Sequence, residues 1–268
     1  MTELIFLGTG AIRPATPGDH TAMLVRHGTT NLLLDAGPAV LMQLHRVGVD
    51  PVAITHVYFS HQHGDHMAGS VILPFYPGHR TLFAAAPVLE AWRQLMHVVY
   101  PGLLAMLEPE LSYHPLPCDH AHPCPAIPGV TVRLALANHG NVPAYAIRLD
   151  FPAAAGVEAR PGFSLVYSGD TTPTAAVTQL AADADLLIHE ATYLESYGED
   201  VSEVHSSAGA AGAIAQTAGV RCLALVHRSA GDPADWRTEA ATTFSGRILT
   251  PLAGDRLCLP DDLMAGSR

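Results

Sequence analysis

Short apolar runs broken by glycine, proline and small polar residues set the rhythm of this chain. Residues 4–7, Leu4-Ile5-Phe6-Leu7, are continuously apolar and run into Gly8-Thr9-Gly10, which predicts a buried strand ending in a turn. Residues 22–26 and 31–35 read as a hairpin around His27-Gly28-Thr29-Thr30, and Asp35-Ala36-Gly37 closes the second strand. Residues 40–47 carry helical spacing, and the apolar run Ile54-Thr55-His56-Val57-Tyr58-Phe59 predicts a strand over 57–60. Val88, Leu89, Trp92, Leu95 and Met96 recur at helical intervals, so 87–96 reads as a helix, with a second short helix at 103–107. Apolar residues in 87–107 exceed one buried stripe, which fits a two-helix cover on a sheet that also lines an active-site mouth or a homodimer contact.

Prolines accumulate over 115–128 and predict a loop. Beyond it, strands are expected at 130–135, 144–149, 164–167, 186–189 and 222–226, and helices at 175–182 and 207–218. The first half is therefore rich in hairpins and the second alternates strand and helix. That pattern predicts an α/β fold of two sheets face to face, with helices on the outer faces. No linker interrupts it, so 1–268 is read as one domain.

The stretch Ser60-His61-Gln62-His63-Gly64-Asp65-His66 changes the picture from fold to chemistry. Three imidazoles and a carboxylate follow a strand in a tight loop, and these are the donors a zinc-class metal prefers. Two ligand pairs in one loop suggest two adjacent metals, His61 and His63 on one, Asp65 and His66 on the other. His139, Asp170 and His227 each stand just past the end of a predicted strand and complete a dinuclear set.

Composition narrows the partners. The chain has 268 residues, 49% of them hydrophobic and 15% charged, enough to bury a sizeable core. A net charge of −11 argues against a protein built to grip a phosphate backbone. The N-terminus has no basic region and too short an apolar run for a signal peptide, and no window is long enough to span a membrane, so the expected setting is the cytoplasm. Cys118, Cys124, Cys222 and Cys258 form no framework and are expected as free thiols. Cys118-Asp119-His120-Ala121-His122-Pro123-Cys124 holds zinc-binding residue types, but its spacing is unlike the common zinc modules and its prolines read as a surface loop.

The residues Phe6-Leu7-Gly8-Thr9-Gly10, Asp35-Ala36-Gly37, His61-Gln62-His63-Gly64-Asp65-His66, Asn138-His139-Gly140 and Ser168-Gly169-Asp170-Thr171 together resemble the metallo-β-lactamase superfamily. His189-Glu190-Ala191-Thr192 and His205-Ser206-Ser207 resemble motifs of its ribonuclease Z-like branch. The resemblance runs from the first strand to His227. It implies a four-layer αββα sandwich with two Zn2+ at one edge, Mn2+ or Fe being served by the same donors. It also implies that His61, His63 and His139 hold one metal, that Asp65, His66 and His227 hold the other, and that Asp170 bridges them. A bridging hydroxide would attack the substrate, Asp65 would accept a proton, His205 would protonate the leaving group, and Glu190 would position His205. His189 would support the fold beside the site or simply be buried after its strand.

The chain also departs from ribonuclease Z proper. Where the branch carries a basic arm, residues 150–162 form a short, weakly charged turn. His227 is followed by Arg228-Ser229-Ala230 rather than Phe-Ser and a basic-aromatic pair, and Gly18-Asp19-His20-Thr21 stands where an arginine is common. The expected substrate is therefore a small phosphodiester and not transfer RNA. A thioester, lactone or aryl sulfate on the same scaffold, tRNA 3′ processing, and a non-catalytic binding or regulatory role are the alternatives. Arg228, next to a metal ligand, is a candidate for holding a substrate phosphate or carboxylate, or for a surface salt bridge.

Overall fold

The structure, a computed structural model, describes residues 2–16, 18–118, 120–153, 162–197 and 203–264. Its strands are β1 (Thr2–Gly8), β2 (Ala22–His27), β3 (Thr30–Leu34), β4 (His56–Tyr58), β5 (Arg80–Ala84), β6 (Leu111–Pro115), β7 (His122–Pro123), β8 (Thr131–His139), β9 (Val142–Phe151), β10 (Phe163–Tyr167), β11 (Leu186–Glu190), β12 (Cys222–Val226), β13 (Arg247–Leu249) and β14 (Arg256–Leu259). Its helices are α1 (Val40–Arg46), α2 (Gly64–Met67), α3 (Ala86–Val99), α4 (Leu104–Leu107), α5 (Ala175–Leu180), α6 (Ala208–Ala218), α7 (Pro233–Ala240) and α8 (Asp261–Met264).

The strands form two seven-stranded sheets, ordered β14-β1-β2-β3-β4-β5-β6 and β13-β12-β11-β10-β9-β8-β7. Inward-facing residues of both, among them Phe6, Met23, Tyr58, Phe83, Leu134, Leu165, Tyr167 and Val226, make one shared core. The opposite face of the first sheet packs against α1 and α3 through Leu44, Val88, Trp92 and Met96. The opposite face of the second packs against α5, α6 and α7 through Val177, Ala211, Ala215 and Trp236. These are the four expected layers, because each sheet must cover two apolar faces. The α6 seam is made almost wholly of alanine and glycine: a Cβ at Gly212 would meet Ala240 O of α7 at 2.7 Å, so α6 and α7 lie too close there for a side chain.

The hairpin reading holds for β1 to β3, which are antiparallel, with His27 opposite Thr30 across a turn whose Gly28 has φ of 58°. It fails from β3 onward. Strands β3, β4, β5 and β6 are parallel, joined by helical crossovers. β5 and β6 are short and carry Arg80 and His114, which blurred the strand signal. The proline-rich stretch is also not wholly loop, since His122–Pro123 pairs with β8. Arg80 is buried and donates to the carbonyl oxygens of Tyr76, Pro77, Gly78 and Pro51, which explains a charged residue inside a strand. In the second sheet β10, β11, β12 and β13 are parallel, while β14 returns to pair antiparallel with β1.

Along α3, α4 and the link between them the apolar residues divide: Val88, Leu89, Trp92, Met96 and Leu104 are buried, while Val98, Val99, Leu103 and Met106 are exposed. Interval 150–162 joins antiparallel β9 and β10, with 154–161 outside the described residues. No helix among the described residues is long and apolar enough to cross a membrane.

Candidate metal centre

The parallel strands of both sheets end at one edge, and their C-terminal ends deliver the donors. Asp35 follows β3, Ser60 and His61 follow β4, Asp170 follows β10, Glu190 ends β11 and His227 follows β12. His139 ends β8, and His63, Asp65 and His66 lie around the short α2. Close backbone approach brings the loop in. A Cβ at Gly37 would meet Asp65 O at 2.6 Å, and one at Gly69 would meet Gly37 O at 2.0 Å, so these positions must be glycine.

Seven predicted ligands converge. Donor atoms of His61, His63, His139 and Asp170 lie within 4.8 Å of one another, as do those of Asp65, His66 and His227. Asp170 sits between the groups: Oδ1 is 3.2 Å from His66 Nε2, and Oδ2 is 3.3 Å from His227 Nε2 and 3.7 Å from His61 Nε2. The buried atoms His61 Nε2, His66 Nε2 and Asp170 Oδ1 have no hydrogen-bond partner. Orphaned buried donors and acceptors cost roughly 1–3 kcal/mol each. Three facing one another fit divalent metal ions, which would satisfy them all; the donors do not choose among Zn2+, Mn2+ and Fe.

The proton bookkeeping agrees with metal binding. Ser60 Oγ donates to Asp35 Oδ2 at 2.6 Å, so at 3.0 Å it accepts from His61 Nδ1. His66 Nδ1 donates to Asp35 Oδ2 at 2.7 Å, and His139 Nδ1 to the Val204 carbonyl at 2.8 Å. Thr192 Oγ1 donates to Glu190 Oε2 at 2.8 Å and accepts from His227 Nδ1 at 2.8 Å. Four imidazoles are thereby fixed with Nε2 as the lone-pair atom, the arrangement that orients a ligating histidine. His63 presents Nδ1, 3.0 Å from His139 Nε2.

Burial shifts the charges. Burial, helped by neighbouring His66, pushes His61 well below its ordinary pKa. Burial opposes charge on His66 too, but the Asp170 and Asp35 carboxylates outweigh it and raise His66 well above. Burial would raise Asp65 and Asp170, yet the surrounding imidazoles hold both carboxylates below the ordinary range. Such carboxylates keep their charge, which suits a metal ligand.

His205 and Glu190 do touch. Glu190 is fully buried, and its Oε1 accepts from His205 Nδ1 at 2.9 Å and from the Thr171 amide at 2.9 Å. Burial lowers the His205 pKa, but the Glu190 hydrogen bond and charge outweigh it and raise it. His205 Nδ1 is also 3.9 Å from Asp170 Oδ2, inside ligand range. That nitrogen is already committed to Glu190, which leaves Nε2 for a substrate. His189 is buried, donates from Nδ1 to the Glu190 carbonyl at 2.7 Å, and supports the strand end.

Arg228 takes neither expected role. It is buried, and its guanidinium donates to the carbonyls of Leu225 and Pro251 and to Thr9 Oγ1. The neighbouring His227 has a φ of 54°, a backbone state that costs a non-glycine residue energy. The arginine that does line the site is Arg13. His205 and His227 open on a cavity of about 490 Å³, together with Thr192, Ala11, Ile12 and Arg13. In the Cys118 to Cys124 stretch, Cys118 is exposed, Cys124 is buried and Asp119 lies outside the described residues; none of the four cysteines is in a disulfide.

Asp35 stands in the sequence as part of the Asp35-Ala36-Gly37 motif, with no role legible there. Its carboxylate accepts from the Ser60 amide at 2.7 Å, Ser60 Oγ, His66 Nδ1 and Tyr167 OH at 2.7 Å. An Asp at a strand end, one strand away from a His-rich loop, was the available signal. Asp35→Asn keeps the residue's φ of 57° accessible but gives up an acceptor oxygen. The expected outcome is metal affinity weakened about 10–100-fold, the usual cost of losing an outer-shell partner. Competition with a chromogenic chelator measures it, and unchanged affinity would show that Asp35 does not orient His66.

Residues 30–228, which contain every donor above, match the family model for the Beta-lactamase superfamily domain. Ribonuclease Z of Mycobacterium bovis is 32% identical over 283 residues, covering 92% of this chain and 95% of that protein. The metallo-beta-lactamase fold protein YhfI of Bacillus subtilis superposes with a TM-score of 0.77 at 24% identity, over 96% of this chain and 98% of that one. A diphosphatase of the PhnP family superposes with a TM-score of 0.71 at 17% identity, over 97% and 98%. At those identities the two structures speak for the fold, and the family match and the ribonuclease Z relative carry the kinship. This chain belongs to the metallo-β-lactamase superfamily, in the branch that includes ribonuclease Z.

Proposed function

We propose that the protein is a dinuclear metal-dependent hydrolase of a small phosphodiester. The observation that carries this reading is the His205–Glu190 pair at 2.9 Å beside the two donor groups. An alkoxide leaving group needs a proton, and a buried carboxylate that fixes His205 with Nδ1 protonated and raises its pKa makes a proton donor at Nε2. Two ions in these donor groups would lower the pKa of a water and offset charge on the phosphate oxygens. The chain's own residues do the rest: Asp170 joins the two groups, Asp35 and Thr192 fix His66 and His227, and Glu190 aims His205.

The ribonuclease Z relatives suggest RNA as a second reading. The charge of −11 speaks against it. The arginines do too, because all 14 basic residues are arginine, and those described are almost all engaged within the protein. Arg26, Arg80, Arg93, Arg133, Arg148, Arg221, Arg228, Arg237, Arg247 and Arg256 each have an ion-pair or hydrogen-bond partner. Little free cationic surface is left to follow a phosphate backbone.

Metal analysis of the purified protein, paired with hydrolysis of bis(p-nitrophenyl) phosphate by the same sample, tests the proposal. About two ions per chain and chelator-sensitive turnover are expected. Two ions with turnover of thioesters, lactones or aryl sulfates but of no phosphodiester would replace the substrate class, and no metal after reconstitution would remove the mechanism.

A further inference from the structure

We infer that Arg13 is the specificity-determining residue of this site, and that the substrate carries a second anionic group, a carboxylate or a phosphate, beside the scissile phosphodiester. The inference rests on the phosphodiesterase reading and names what that reading leaves open.

Three observations lead to it. Arg13 lines the cavity of about 490 Å³ that His205 and His227 also line, a size that suits a small molecule. Among the described arginines, only Arg13 and Arg46 lack a side-chain hydrogen bond or ion pair, and Arg46 lies at the far end of α1, outside this cavity. The backbone that leads into Arg13 is pinned as far as Ala11. Thr9 N donates to Asp19 Oδ1 at 2.8 Å, Gly10 N to Asp19 O at 2.7 Å, Ala11 N to Arg228 O at 3.1 Å, and Thr21 Oγ1 to Gly10 O at 3.1 Å.

An exposed arginine is usually a solvated surface charge. This one differs in being held at the mouth of the site by a loop tied to the residue after a candidate metal ligand. The two metal-donor groups already answer the charge of the scissile phosphate, and Arg13 belongs to neither of them. The group left for its guanidinium is therefore another anionic part of the substrate. A guanidinium presents a planar fork that matches a carboxylate or phosphate with two hydrogen bonds. The small side chains Ser229 and Ala230 leave the cavity open beside it.

The test uses the metal-loaded protein and two matched esters, p-nitrophenyl ethyl phosphate and p-nitrophenyl 2-carboxyethyl phosphate. Wild-type protein is expected to favour the carboxylate ester about tenfold or more in kcat/KM, the scale of a hydrogen bond to a charged group. Arg13→Gln should bring that ratio close to unity, and Arg13→Lys should restore part of it. No preference in the wild type, or an equal loss on both esters in Arg13→Gln, would overturn the assignment.

Calorimetry with ethyl phosphate, 2-carboxyethyl phosphate and ethane-1,2-diyl bisphosphate reads the same question without turnover. About tenfold weaker binding of the doubly anionic ligands alone is expected in Arg13→Gln, and their order identifies carboxylate or phosphate as the better group. Equal binding of all three by wild type would overturn the assignment. Failure of the phosphodiesterase reading looks different: neither ester is turned over, and the calorimetry still judges Arg13.

Discussion

Asp170→Asn is expected to strip the protein of metal and abolish turnover while the fold survives. Asp170 is the residue both donor groups share, its Oδ1 facing His66 and its Oδ2 facing His227 and His61. The amide is nearly isosteric but uncharged, and it places an N–H pair where two ions would sit. Losing an outer-shell partner already costs about 10–100-fold in metal affinity, so losing the shared carboxylate should cost more. The side chain is buried, and the amide fills the same space without a change of volume, so the metal-free variant should fold. Elemental analysis should find less than one ion per chain, against the roughly two expected of wild type, with thermal unfolding run alongside. A folded variant with full metal content would end the bridging role.

His205→Ala is expected to keep its metals and lose roughly 10²–10⁴-fold in turnover of a phosphodiester with an alkyl leaving group, the usual range for general acid catalysis. His205 Nδ1 belongs to Glu190, so the ring contributes no committed ligand atom, and metal content should not follow its loss. The deficit should be much smaller on a p-nitrophenyl ester, whose leaving group departs without a proton. That dependence on leaving group separates a proton donor from a residue that only shapes the cavity. Equal losses on both substrates would sink the proton-donor role, and loss of metal would make His205 a ligand. Glu190→Gln should follow the same pattern more weakly, because the amide still accepts a hydrogen bond from Nδ1 but cannot stabilise its charge.

The ligand set was legible because metal chemistry writes itself locally. His61, His63, Asp65 and His66 fall in one loop, and His139, Asp170 and His227 each follow an apolar run. The layers were legible for the same reason, since sheets buried on both faces read as continuous apolar segments, as β10 and β12 do. What failed was pairing. Nothing local in β5 or β6 says that they continue a parallel sheet, and nothing in β14 says that it crosses to β1. Strand partners are chosen by long-range packing, which periodicity does not record.

The sequence by itself determined which residue types could bind metal, that they stand at strand ends, and that two layered sheets carry them. Only the tertiary structure decided which nitrogen each histidine presents, because Asp35, Val204 and Thr192 reach the rings from distant positions, and Asp35 also orients Ser60 beside His61. It also decided between two arginines. Arg228, beside a ligand in sequence, is drawn inward because the carbonyls of Leu225 and Pro251 need donors in a dry interior, whereas Arg13, remote in sequence from His227, stands at the mouth of the site.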